Sequence, residues 1–168
     1  MRAPESADSG SSLPAHSVAP SAVARIGWRE WVALPELGIA AIRVKIDSGA
    51  RSSALHVDDS EVFEDGGVEW VRFSLRPAPQ SARVECQARV LERREVTDSG
   101  GNRNLRIFIR STLALGGVAY PIEVNLTNRR DMLFPMLLGR TALAGRWVVD
   151  PMHSFLLGRP GRSAGTPG

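Results

Sequence analysis

Short runs of alternating apolar and polar residues, each closed by Gly, Pro, Asn or Asp, fill the chain from about residue 25 to residue 158. Alternation with period two sends successive side chains to opposite faces, so the pattern predicts half-buried strands and an all-β fold. The runs at 27–34 and 39–46 flank Pro35-Glu36-Leu37-Gly38 and predict a hairpin. In the second run Ala40, Ile42, Val44 and Ile46 are expected on one face, and Ile39, Ala41, Arg43, Lys45 and Asp47 on the other. A turn at Asp47-Ser48-Gly49-Ala50 leads into a short run at 53–57. Beyond Glu64-Asp65-Gly66-Gly67, strands are predicted over 68–75, 83–91 and 105–109, the last two flanking a Gly-rich hairpin tip at Asp98-Ser99-Gly100-Gly101-Asn102. Runs at 113–115 and 118–126 pair around Gly116-Gly117. Only 141–145 reads as a short helix, and 147–149 returns to strand.

The two ends break this pattern. Residues 1–24 are rich in Ser, Ala and Pro and residues 159–168 in Gly and Pro, so both are expected to be disordered tails around one folded unit at 25–158. Pro4, Pro14 and Pro20 interrupt the apolar core that a secretory signal needs. No run reaches the roughly 18 apolar residues of a membrane-spanning helix, so no membrane partner is expected. With 168 residues, 43% of them hydrophobic and 23% charged, the chain has the balance of a single water-soluble domain.

Charge adds one detail. The excess of 21 Lys and Arg over 18 Asp and Glu is +3, yet Lys45 is the only lysine and the arginines form no dense block. That spread argues against a phosphate-tracking surface, and no nucleic-acid partner is expected. Arg129-Arg130-Asp131, the densest cluster, reads as a solvated turn. The tryptophans, Trp28, Trp31, Trp70 and Trp147, fall in separate strands and read as packing residues. A lone cysteine, Cys86, permits neither an intrachain disulfide nor a thiolate zinc cage; it reads as an inert core residue and fits a reducing, cytoplasmic compartment.

Asp-Ser-Gly occurs three times, at Asp8, Asp47 and Asp98, so context has to separate the copies. The first lies in the Ser-rich end and the third in turn chemistry; only the second follows an apolar strand and precedes Ala50. The stretch Val44-Lys45-Ile46-Asp47-Ser48-Gly49-Ala50-Arg51-Ser52-Ser53-Ala54-Leu55-His56 resembles the start of the bacterial retropepsin-like proteins, also called ATP-dependent zinc proteases. Their pattern is Lys-Ile-Asp-Thr-Gly-Ala-Arg-Thr-Ser-Ala-Leu-His, with Ser48 and Ser52 standing here for the threonines. A second family signature, an Arg, a Met-x-x-Pro stretch and Leu-Leu-Gly-Arg, resembles Arg130 and the run from Met132 to Arg140. The likeness covers about residues 26–157.

The resemblance implies a closed acid-protease barrel and an aspartic endopeptidase that cuts extended peptides. Asp47 would be the catalytic carboxylate, and Ser48 and Gly49 would shape its loop. Lys45, Ala50, Arg51, Leu138, Gly139 and Arg140 would be the supporting residues, with Leu137-Leu138-Gly139 packed behind the loop. Such chemistry needs two carboxylates sharing one proton. A single chain supplies one, so a twofold homodimer is expected, as in retroviral proteases. Asp98 lacks both the preceding apolar strand and a second Leu-Leu-Gly, so the tip with Ser99, Gly100 and Gly101 is expected to cap a flap. Family members are often encoded beside or fused to ATP-grasp amino-acid ligases, which makes such a ligase a candidate partner.

The residues leave a second role for Asp47 open. An ion pair with Lys45 or Arg51 would keep it ionised and make the loop structural, as in a non-catalytic β-barrel module that binds a peptide or a ligase. Metal and cofactor are not expected. His56 with Asp58 and Asp59, or Asp150 with His153, are the only ligand sets in view, and neither a His-Glu-x-x-His helix nor a Gly-x-x-x-x-Gly-Lys loop occurs.

Overall fold

The structure, a computed structural model, describes residues 23–161. Strands β1 (Ala24–Gly27), β2 (Arg29–Leu34), β3 (Ile39–Ile46) and β4 (Ser53–His56) come first, with a 3₁₀ turn at Pro35–Leu37 between β2 and β3. A meander of β5 (Asp59–Asp65), β6 (Val68–Leu75) and β7 (Val84–Arg89) follows. After β8 (Glu92–Thr97) come two long strands, β9 (Arg103–Leu115) and β10 (Val118–Thr127), then β11 (Met136–Leu138), helix α1 (Arg140–Leu143) and β12 (Trp147–Asp150).

Hydrogen bonding runs β10-β4-β11-β3-β2-β9, and β9 also pairs with β10, so six strands close into a ring. The fold is therefore all-β, a retropepsin-like barrel. The seam is narrow: β2 meets β9 only at Ala33 and Ala114. Strand β8 pairs with β9 alone and stands off the ring as an arm. The β5-β6-β7 sheet and the β1–β12 pair, which is parallel, complete the molecule.

Alternation explains the interior. On β2, Glu30, Val32 and Leu34 point inward while Arg29, Trp31 and Ala33 are half-buried. Val32, Leu34, Ile42, Val44, Leu55, Ile109, Leu113, Val124, Met136 and Leu138 form a fully enclosed core. Each such side chain contributes about 1.5–3 kcal/mol relative to exposure. Glu30 is a carboxylate in this apolar setting, and backbone donors satisfy it: Gly27 N at 2.8 Å, Leu156 N at 2.9 Å and Leu157 N at 3.4 Å.

Four details depart from the sequence pattern. The β2–β3 register slips between Val32 and Leu34, placing Ala40 and Ala41 opposite the single Ala33. This bulge reverses the phase at the start of β3, so Ile39 is buried and Ala40 exposed, while Ile42, Val44 and Ile46 lie inward as the alternation expects. The run at 83–91 ends at Arg89, and the partner of β9 across the glycine tip is instead the charged strand β8. The runs at 105–109 and 113–115 are one strand, β9. The short helix starts one residue before and ends two residues before the 141–145 run, at Arg140–Leu143. Expectations for residues 1–22 and 162–168 lie outside the described residues.

Candidate active site

Asp47 leaves the ring at the end of β3, beside the last residue of β11, and its backbone N–H donates to Leu138 O at 2.8 Å. The chain then turns back sharply. Asp47 Oδ1 accepts N–H bonds from Gly49 at 3.1 Å and Ala50 at 3.2 Å, which is Asx-turn chemistry. A Cβ on Gly49 would stand 3.3 Å from that same oxygen, so glycine lets the backbone pass close to the carboxylate. Asp47 is half-buried, and Ser48 and Gly49 are exposed.

The Leu138-Gly139-Arg140 segment mounts this turn. Gly139 N donates to Ser53 Oγ at 3.1 Å, Arg140 N to Ala50 O at 2.8 Å, and Thr141 Oγ1 to Arg51 O at 3.0 Å. The Arg140 guanidinium donates from Nη1 to Ser48 O at 3.1 Å and Gly49 O at 3.0 Å. Gly139 touches the returning chain: a Cβ there would lie 2.5 Å from the carbonyl of Ser52. The Ser48 hydroxyl, expected to hold the turn, makes no bond to any described residue; Asp47 Oδ1 and Arg140 hold it instead.

Lys45 is exposed and sits opposite Arg29 on β2. Among the described residues neither Lys45 nor Arg51 forms an ion pair with Asp47, so the structural ion pair that its sequence neighbours allow is absent.

Asp47, Gly49, Ala50 and Arg51 lie along a cleft of about 1250 Å³. The arm forms another wall, contributing Arg94, Val96, Asp98 and Ser99, while Gly100 and Gly101 lie at the exposed tip beyond it. Asp98 accepts N–H bonds from Gly100 and Asn102, both at 2.9 Å. The Asn102 backbone bond foremost, joined by the Asn102 side chain and the Gly100 N–H, holds its carboxyl below the ordinary carboxylate value against the opposing effect of desolvation. Gly101 carries φ of +83°, the left-handed conformation that closes the tip.

The remaining cleft residues had no signal of their own in the sequence. Arg94 and Arg106 face each other across the β8–β9 ladder, and Asn125, Thr127, Arg129 and Met132 close the opposite side. Glu92 and then Glu123 raise the Arg94 pKa. Arg106 is 9% exposed, and burial, reinforced by the charge of Arg129 and opposed by that of Asp98, lowers its pKa. Arg129 belongs to the cluster expected to be a solvated turn; Arg130 and Asp131 are exposed, but Arg129 faces the cleft.

The residues suggested as metal ligands do not assemble a site. His56 Nδ1 accepts the Arg129 backbone N–H at 3.2 Å, and its Nε2 lies 3.5 Å from Asp58. Asp59 faces away to Arg83 and Ser74, and Asp150 is engaged by His153 and Arg25. Among the described residues no three His, Cys, Asp or Glu side chains converge. No helix among them is long and apolar enough to cross a membrane.

Comparison with known proteins follows the same outline. Residues 25–160 match the model of the RimB-like family, described as retropepsin-like aspartic endopeptidase RimB. A probable alpha-L-glutamate ligase of Shewanella pealeana is 42% identical over 138 residues, 81% of this chain and 30% of the relative. One of the same description from Desulfotalea psychrophila is 42% identical over 135 residues, 79% of this chain. The chain thus spans about 30% of the length of these curated relatives. A crystal structure of a Legionella pneumophila protein of unknown function superposes with a TM-score of 0.68 at 27% identity, covering 80% of this chain and 98% of that one. On the match over the whole barrel, this chain belongs to the RimB-like family of retropepsin-like aspartic endopeptidases.

Proposed function

We propose that the chain is an aspartic endopeptidase in which Asp47 of one copy and Asp47 of a second share a proton across a twofold axis. In that dyad the ionised carboxylate takes a proton from water, the water oxygen attacks the peptide carbonyl, and the protonated carboxyl donates to the carbonyl oxygen. The observation that carries this reading is the Asp47 turn, held rigidly by Leu138, Gly139 and Arg140 at one wall of a peptide-sized cleft. The carboxylate has no basic partner among the described residues, which leaves it available to a second carboxylate. The exposed, unbonded hydroxyl of Ser48 is equally available to a partner copy. The arm, with Ser99 in the cleft and Gly100 and Gly101 at its tip, would act as the flap.

The cleft suggests the substrate class. Five arginines, Arg51, Arg94, Arg106, Arg129 and Arg140, line it against four carboxylates, Asp47, Glu95, Asp98 and Glu123. Relatives that contain this domain within a longer chain are named as glutamate ligases. Both facts favour acidic peptides, α-linked glutamates above all, as substrate and a glutamate ligase as functional partner. A cytoplasmic site of action accords with Cys86, a buried thiol pushed up to about 11 by burial and so unreactive.

The test is cleavage of a peptide library containing oligoglutamates, read by mass spectrometry from acidic to neutral pH, with wild type beside a folded Asp47→Asn variant. Products from wild type alone support the peptidase. Equal silence from both, with wild type folded and dimeric by light scattering, would move the assignment to a binding module.

A further inference from the structure

Arg106 projects from β9 into the cleft wall and makes one hydrogen bond inside the protein, from Nη1 to Asn125 Oδ1 at 3.0 Å. A guanidinium carries five N–H donors, so most of them have no protein acceptor. Its neighbours differ. Arg94 is matched by Glu92 and Glu123, and Arg129 stands 3.8 Å from Asp131. Among the described residues no carboxylate lies within ion-pair distance of Arg106, the most enclosed of these cations; the nearest acidic influence is Asp98, whose charge reaches it across the cleft wall.

A largely enclosed charge without a close counter-charge costs stability, and an apolar side chain of similar volume would fill the same space without that penalty; the unbonded Arg106 nitrogens instead open to the cleft. Nothing in the barrel core requires the cation. Its mount is also unusually firm: Asn125 is 1% exposed and donates Nδ2 to Ser53 O at 2.8 Å, and Ser53 Oγ receives the Gly139 N–H behind the Asp47 turn. The guanidinium and the Asp47 loop therefore share one support, which fixes their separation.

We propose that Arg106 is a specificity subsite that receives one side-chain carboxylate of the bound peptide, a planar fork meeting a planar anion, and so sets which peptide bond lies over Asp47. This rests on the reading of the cleft as a peptide site. The ligand supplies the close counter-charge that Asp98, acting on Arg106 from beyond ion-pair distance, does not.

The experiment uses the full chain carrying Asp47→Asn, so that peptides are not consumed, and fluorescence anisotropy with labelled hexaglutamate and hexaglutamine. Hexaglutamate should bind tighter. Adding Arg106→Gln should weaken hexaglutamate by roughly 10- to 100-fold, the range for a lost charged hydrogen bond, and leave hexaglutamine unchanged. Arg106→Lys, which keeps the charge and loses the fork, should fall between, and it carries the test should Arg106→Gln fail to fold. Neither substitution should lower Tm by more than a few degrees, whereas a structural arginine would. Unchanged hexaglutamate affinity in either folded variant, or equal affinity of the parent for the two peptides, overturns the subsite. The underlying reading fails separately: binding through Arg106 with neither peptide cut by wild type removes the peptidase and keeps the subsite. Equal cleavage of both peptides, indifferent to Arg106→Gln, does the reverse.

Discussion

Gly139→Ala isolates the mount of the Asp47 turn from every other property of the loop. Gly139 has φ of −86° and ψ of 174°, an extended conformation that alanine adopts without strain, so the added methyl acts only through space. That space is occupied by backbone: the new Cβ would lie 2.5 Å from both C and O of Ser52 and 2.8 Å from Arg51 O. Flexible side chains can swing aside from such a contact, but these atoms are pinned by the Thr141 bonds to Arg51 O and by Ser53 in β4. Relief by about 1 Å requires the two segments to part, which stretches the Gly139 N to Ser53 Oγ and Arg140 N to Ala50 O bonds. Overpacking costs typically 1–3 kcal/mol, and a rigid backbone contact belongs at the upper end, about 3 kcal/mol. For a domain of this size that lowers Tm by roughly 10 °C. Urea denaturation followed by tryptophan fluorescence measures it directly. The companion Gly49→Ala places its Cβ 3.3 Å from Asp47 Oδ1, a contact that a few tenths of an ångström relieve, and should cost under about 1 kcal/mol. A Gly139→Ala protein within about 0.5 kcal/mol of wild type would refute the claim that this segment holds the Asp47 loop by contact.

Three further outcomes follow from other parts of the structure. Asp47→Asn keeps an oxygen that can accept the Gly49 and Ala50 N–H bonds, so it should abolish peptide cleavage while changing unfolding free energy by no more than about 1 kcal/mol, checked by paired activity and denaturation curves. Glu30→Ala strands the Gly27 and Leu156 donors in an apolar interior and opens a cavity; a loss of about 3 kcal/mol or more is expected, together with faster amide exchange at Leu156 and Leu157. Asp98 has a lowered pKa in the folded tip, so its contribution is complete above the unfolded value near 3.8 and is lost as pH falls through the lower folded value. Amide exchange at Gly100 and Asn102, corrected for its intrinsic pH dependence, should therefore lose protection only below about pH 4, and an Asp98→Asn variant should remove that pH step.

How much of this was legible in the chain depended on what holds each element. The hairpin of β2 and β3, the glycine pair at 116–117 and the Asp47 turn are local: period-two alternation and turn residues encode them, and they lie where the pattern puts them. Strands β5 and β8 carry sequences such as Asp59-Ser60-Glu61 and Glu92-Arg93-Arg94-Glu95, with few residues of high strand propensity. They are strands because β6 and β9 supply ladder partners and because β10 supplies Glu123 as the salt-bridge partner of Arg94, which are tertiary facts. The bulge at Ala40 is likewise set by register against Ala33 and has no marker in composition. In the candidate site, motif identity exposed the Asp47 loop and its Leu138-Gly139-Arg140 backing. Arg106 and Asn125 were invisible because they come from two strands whose antiparallel pairing and twist bring them to the loop only in the folded ring.

The ring divides the cleft into a wall that is fixed and a wall that is free to move. Asp47 is held by its backbone bond to β11 of the closed ring, and its turn is held at the rim by Arg140, so displacing it requires breaking several bonds together. The arm is less constrained: its backbone bonds only to β9, with side-chain ties from Arg94 to Glu123 of β10 and from Arg93 to Glu69 of β6, and its tip is exposed. Segments with few buried apolar contacts open at low free energy, whereas core strands open only with the whole fold. A peptide that enters between them meets a rigid carboxylate on one side and a yielding strand edge on the other, whose free N–H and C=O groups can extend the sheet onto the substrate. Arg106 lies where β9 passes from arm to ring, so a carboxylate captured there is registered against the fixed wall while the arm closes over it.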